Sequence, residues 1–173
     1  MNIPFKKMKS TRVVLHCTAT KDYFKNRDED KKDFDYHFNI GFSEVDAWHK
    51  SFGWRGFGYH FLVKRNGTLV KGRKVGTKGA HAKGKFEGLN GNNQIGVAYV
   101  GSKRPTREQE DTLVKLAHKL HIEYGISWWD WRGHYQYKNT DCPGFGVEDV
   151  KNLASGEPFH GKWKKVNGDY EKL

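Results

Sequence analysis

Three side chains in this sequence have the types and settings to hold a metal ion: His16, His134 and Cys142. His16 follows the continuous apolar run Val13-Val14-Leu15, and His134 follows an aromatic segment, "ISWWDWRG". Cys142 lies eight positions beyond His134, at the head of "CPGFGVEDVKNLASG". That segment reads as a helix with Pro143 near its first turn. A helix N-terminus favours the thiolate form of a cysteine. Thiolate and neutral imidazole are donors that zinc prefers, and three protein donors leave one tetrahedral position for water, the pattern of a catalytic centre. The same residues also admit a plainer reading: a half-buried His16, a loop His134 and a buried free thiol. Cys17 offers another grouping, as ligand or nucleophile. As the strand neighbour of His16 it points to the opposite face, and it reads as a core thiol. His37, His49, His118, His121 and His160 lie in charged or helical surroundings and read as surface or packing histidines. His81 differs, because it sits between two alanines in a Gly-, Lys- and Asn-rich loop that looks placed to touch something.

The elements that must position these residues follow from local pattern. "TRVVLHCT" is a short buried strand ending at His16 and Cys17. "SEVDAWHKSFG" reads as a helix with Ser43 as N-cap and Gly53 just past its end. "YHFLVK" and "TLVKG" are two β-rich runs joined by Arg65-Asn66-Gly67, a hairpin signal. "QIGVAYVG" is a second buried strand. In "PTREQEDTLVKLAHKLHIEYG", Thr106 and Gln109 form a capping box, Leu113, Leu116, Ala117, Leu120 and Tyr124 recur at helical spacing, and Gly125 closes the helix. A short strand is expected before His134. "KDYFKNRDEDKKDFDYHFNIGF" reads as a charged surface excursion. Strands interspersed with helices predict a single α/β domain. The domain is expected over residues 1–155, with 156–173 a basic C-terminal tail.

Bulk composition agrees. A chain of 173 residues supports one domain with a core that needs no staples. Six Trp, eight Tyr and eleven Phe predict a ring-dense core and exclude general disorder. A net charge of +11 draws the chain to polyanions, whether nucleic acid, cell wall or an anionic membrane surface. Two cysteines are too few for a secreted disulfide scaffold. No apolar run reaches transmembrane length, and the N-terminus lacks a signal-peptide h-region.

Several motifs, in order, resemble the zinc-dependent N-acetylmuramoyl-L-alanine amidases of the amidase-2 and peptidoglycan-recognition-protein family, the small amidase lysozymes of T-odd phages in particular. "VVLHCTAT" is similar to the first metal-ligand strand. "WHKSFGWRGFGYHFLVKRNGTLVKGR" is similar to the helix, loop and hairpin that follow. "GAHAKG" and "NNQIGVAYVG" resemble the substrate loop and central strand. "GHYQYKNTDCPGFGV" resembles the segment with the second and third ligands. The likeness spans about Val13 to Leu153. It implies a central mixed β-sheet flanked by helices with the zinc site in a surface groove, Zn²⁺ held there by His16, His134 and Cys142, and a catalytic Tyr59. It also implies substrate contacts from His81 and Asn93. Thr140 falls where the phage enzymes carry a catalytic lysine and many recognition-protein amidases carry threonine, so it is the second catalytic position. Lys138 is out of register by two. No H-E-x-x-H glutamate base is present.

The resemblance implies hydrolysis of the amide between N-acetylmuramic acid and L-alanine of bacterial peptidoglycan by a phage endolysin. The alternative is a non-catalytic peptidoglycan-binding protein. Such relatives usually lack the cysteine ligand, so Cys142 favours the enzyme. A nucleic-acid-binding protein fits the charge but has no motif, and its lysines are scattered. A cysteine hydrolase using Cys142 is separable by its response to alkylators against chelators. The further expectations are a monomer, no specific nucleic acid, no membrane insertion, and residence in the host cytoplasm before lysis. Trp128, Trp129 and Trp131 are expected in the core and at its rim, not as a sugar platform.

Overall fold

A computed structural model describes residues 10–20, 38–155, 163–166 and 169–172. Its centre is a five-stranded sheet built from β1 (Val13–Cys17), β2 (Phe61–Val63), β3 (Leu69–Lys71), β6 (Ile95–Tyr99) and β7 (Trp131–Gly133) in the order β3-β2-β6-β1-β7. Four strands run parallel, and β3 closes one edge antiparallel to β2. The sheet is thus mixed, as the resemblance implies. The turn between β2 and β3 passes through Gly67 at φ 83°, a backbone conformation that suits glycine.

Alternation along the central strands gives the sheet two different faces. Val13 and Leu15 of β1 and Ile95, Val97 and Tyr99 of β6 all pack into the larger core. They meet Leu113, Leu116, Ala117 and Leu120 from α2 (Arg107–Tyr124) and Val150 from α3 (Glu148–Ala154). The opposite face carries Leu62 and Ala98 against Val45 of α1 (Phe42–Ser51), with Ile40 and Phe57. On this second face β6 presents only Gly96 and Ala98. Register sets Gly96 beside Val14 and Ala98 beside His16. Small residues at these two places leave room above the sheet for imidazole rings.

Helix α2 is capped as its sequence predicts. Thr106 accepts the Gln109 amide, Gln109 reaches back to Thr106, and Gly125 ends the helix at φ 68°. Gln109 is also a hub of the fold. Its Nε2 donates to the Val63 and Val100 carbonyls, and its Oε1 accepts from Thr106 N and from Arg65. Helix α1 departs from expectation at its start. Gly41, not Ser43, is the N-cap, with its amide bonded to Glu44 at 2.8 Å. Tyr124, placed on the buried stripe by spacing alone, is 37 % exposed at the end of α2.

A second difference is a small antiparallel hairpin, β4 (Lys85–Phe86) with β5 (Leu89–Asn90), inside the Gly-, Lys- and Asn-rich segment read as a loop in sequence. Arg12 anchors it by pairing with Glu87, and Phe86 meets the Tyr137 ring. Beyond α3, β8 (Trp163–Val166) and β9 (Asp169–Lys172) pair with each other as a separate two-stranded sheet. Of the charged excursion read over residues 21–42, residues 21–37, His37 among them, lie outside the described residues, as does His160, while Phe42 at its end opens α1. No described helix is long and apolar enough to cross a membrane.

Candidate active site

The C-terminal ends of the parallel strands open into a groove of about 400 Å³ on the second face. Leu15 of β1 pairs with Gly133 of β7, so the next residues, His16 and His134, leave the sheet side by side. Their ring centroids are 4.4 Å apart. Cys142 arrives from a turn tied down at two points. The Tyr135 amide donates to the Cys142 carbonyl at 3.0 Å, and the Tyr99 hydroxyl donates to the Pro143 carbonyl at 2.7 Å. Cys142 Sγ then lies 3.8 Å from His16 Nδ1 and accepts the Cys17 amide at 3.2 Å.

Donor atoms of His16, His134 and Cys142 all lie within 4.8 Å of one another. Tetrahedral bonds of about 2.0–2.3 Å would set such donors about 3.3–3.6 Å apart, so small shifts suffice to fit one zinc ion. The electrostatics suit a metal as well. Burial holds His16 well below the usual imidazole range, reinforced by repulsion from His134, His81 and His49. Burial also pulls His134 down to about 4, with help from the nearby Lys138 charge. Both rings therefore keep a lone pair for a cation at neutral pH. Cys142 corrects the expectation drawn from sequence. Helix α3 begins only at Glu148, so no helix N-terminus faces the thiol, and burial pushes its pKa up. Its thiolate form needs a bound cation.

The other predicted residues divide. Tyr59 lines the groove with its ring 5.2 Å from that of His16, and burial holds its phenol protonated far above neutral pH. The Thr140 hydroxyl accepts the Cys142 amide at 3.3 Å, and Thr140 is not among the groove-lining residues. His81 lines the groove but is only 6 % exposed, and both ring nitrogens are engaged inside the protein. Asn93 is exposed outside the groove, and its carbonyl accepts the Ser10 hydroxyl. Its neighbour Asn92 does more, since its Oδ1 accepts the amides of both His81 and Ala82.

Sequence reasoning missed His49. It projects from α1 into the groove, with its ring 5.2 Å from Tyr59 and 4.7 Å from Trp54. Its Nδ1 accepts the Gly58 amide at 2.9 Å, so in the neutral ring the proton sits on Nε2. Cys17, read as pointing away from His16, is buried in the core yet also borders the groove at the strand's end. The groove's aromatic wall is Trp48, Phe52 and Trp54. Trp131 is fully buried and Trp128 packs against the core, while Trp129 is exposed elsewhere.

Comparison with known proteins matches this picture. The amidase-2 family, N-acetylmuramoyl-L-alanine amidase, matches residues 6–145. An endolysin of Escherichia phage T7 is 38% identical over 155 residues, 84% of this chain and 89% of the phage protein. An endolysin of Enterobacteria phage T3 is 32% identical over the same shares. Among solved structures, the N-acetylmuramoyl-L-alanine amidase LysC from Clostridium intestinale superposes with a TM-score of 0.65 at 27% identity, covering 85% of this chain and 86% of that one. A match running from the first strand through Cys142 takes in the whole groove, and the chain belongs to the N-acetylmuramoyl-L-alanine amidase family.

Proposed function

We propose that this protein is a phage endolysin that cleaves peptidoglycan at the amide between N-acetylmuramic acid and L-alanine with the help of a zinc ion. The observation that carries the reading is the convergence of His16, His134 and Cys142 in one groove, in a chain of this family. When bound there, zinc supplies a water acidified to a pKa of about 7 and polarises the scissile carbonyl.

The chain's own groups do the rest. His16 and His134 remain neutral as donors chiefly because burial disfavours their charged forms, with the Lys138 charge acting in the same direction on His134. Tyr59 keeps its proton and donates it as a hydrogen bond to the oxygen on which charge develops as the amide carbon becomes tetrahedral. Thr140 holds the Cys142 amide and with it the thiolate ligand. His49 adds a second N–H donor at the groove. Trp54, 42 % exposed, and Phe52, 66 % exposed, give the glycan an aromatic rim. The net charge of +11 concentrates the enzyme on an anionic wall, an attraction that weakens with salt.

The test is release of stem peptides from purified peptidoglycan, followed by mass. Soluble peptides with free L-alanine amino termini should appear, vanish with chelator, return with added zinc, and be absent with Cys142→Ser. Binding of intact wall with no release under any metal condition would instead make the protein a recognition module. One chain of the tracheal-cytotoxin-bound ectodomain complex of peptidoglycan recognition proteins LCa and LCx shares the fold with a TM-score of 0.59 at 26% identity.

A further inference from the structure

We infer that His81 is a positioning residue for His16, fixing the tautomer and ring orientation in which His16 presents Nδ1 to the metal. The inference rests on the reading of His16 as a zinc ligand. A carbonyl oxygen can only accept a hydrogen bond. His81 Nε2 lies 3.1 Å from the Gln94 carbonyl, so the His81 proton is on Nε2. The ring is 6 % exposed and packed edge-on between the His16 and His60 rings, a setting that disfavours a second proton, so its Nδ1 is bare. That bare nitrogen is 3.1 Å from His16 Nε2, which must therefore be the donor. His16, also neutral, is left with its lone pair on Nδ1, the atom that faces Cys142 Sγ. A backbone carbonyl thus dictates, through two imidazoles, which nitrogen the metal meets.

The surroundings hold His81 to this task. Asn92 Oδ1 takes the His81 amide at 2.7 Å. The ring lies against two glycines. A Cβ added at Gly79 would stand 2.3 Å from His81 Cδ2, and one added at Gly96 would stand 2.5 Å from it. Glycine in the middle of a buried strand normally weakens it, and here it marks the close approach of this ring. His60 flanks the other side, locked between the Gly96 amide and the Thr77 carbonyl. With both nitrogens spoken for, His81 serves the metal ligand and has no free nitrogen for a substrate. Outer partners of this kind typically contribute about 10–100-fold to metal affinity.

Two measurements test this, both on the full chain. Ring ¹⁵N NMR of the metal-free wild type should show His16 protonated at Nε2 and bare at Nδ1. Finding the proton on Nδ1 overturns the inference with no variant made. Zinc affinity, by competition with a chromophoric chelator, should fall about 10–100-fold for His81→Leu and for Gly96→Ala, which dislodges the ring without altering any titratable group. His81→Asn, whose Oδ1 stands where Nδ1 was, should recover most of the loss. A folded His81→Leu with wild-type zinc affinity refutes the inference. If wild type binds zinc but releases no peptide, the amidase reading fails, while the affinity comparison still decides the role of His81. If wild type binds no zinc, the metal reading fails and this inference with it.

Discussion

The metal-stripped protein should lose stability in mild acid, well above the carboxylate range. His81 and His134 titrate at about 3 and about 4 in the fold, against 6.5 for an unperturbed ring, chiefly because burial disfavours their charged forms. His16, His49 and His60 are shifted in the same direction for the same first reason. Below pH 6.5 the unfolded chain therefore binds more protons than the native one, so stability is complete above 6.5 and drains as pH falls toward 3. At pH 5 each ring that stays neutral in the fold costs about 2 kcal/mol, so His81 and His134 alone cost about 4 kcal/mol. A domain holds about 5–15 kcal/mol in all. Guanidinium titrations of the metal-free protein at pH 7.5, 6 and 5, read by linear extrapolation, measure this directly. His81→Leu should flatten the slope by about 1.4 kcal/mol per pH unit. An unfolding free energy that is level between pH 7.5 and pH 5 would refute the reasoning.

Three further outcomes are expected. Tyr59→Phe should lower kcat about 10²–10³-fold while zinc content is unchanged, measured by single-turnover peptide release and metal analysis. Gln109→Ala takes the acceptor from the buried Thr106 amide and one of two donors from each of the Val63 and Val100 carbonyls, which keep Val100 N and Arg65, and should destabilise by about 1–3 kcal/mol in denaturant without changing activity per folded molecule. Trp54→Ala, at the exposed rim of the groove, should raise KM on peptidoglycan more than it lowers kcat.

What could be read from the sequence was what depends on neighbours in the chain. The β1 run, the β2–β3 turn and both caps of α2 are written in consecutive residues, and the structure has them where the pattern puts them. His49 was invisible because α1 has polar residues on most of its surface, and its place at the groove is set by Gly58, nine residues on and across a turn. The setting of Cys142 was misjudged because its thiol answers to burial beside Cys17, not to a helix that starts six residues later. The exchange between His81 and His16 joins a loop to a strand 65 residues away, and no local periodicity encodes it.

The position of β1 in the sheet orders events at the ribosome. It is the earliest described strand to be synthesised, yet its two neighbours, β6 and β7, come from the middle and the last third of the chain. Val13 must wait for Ile95 on one side and for Trp131 on the other. Long-range parallel pairing of this kind is slow, and until it happens "VVLHC" is an apolar strand with both edges open. The groove cannot exist in a nascent chain, because His16 has neither His134 nor Cys142 beside it until the polypeptide is nearly complete. A chain cut short before residue 142 therefore yields no weakened enzyme. One cut between residues 133 and 142 carries both neighbours of β1 and still lacks the third donor, so the site is completed after the sheet, in one step, when Cys142 arrives.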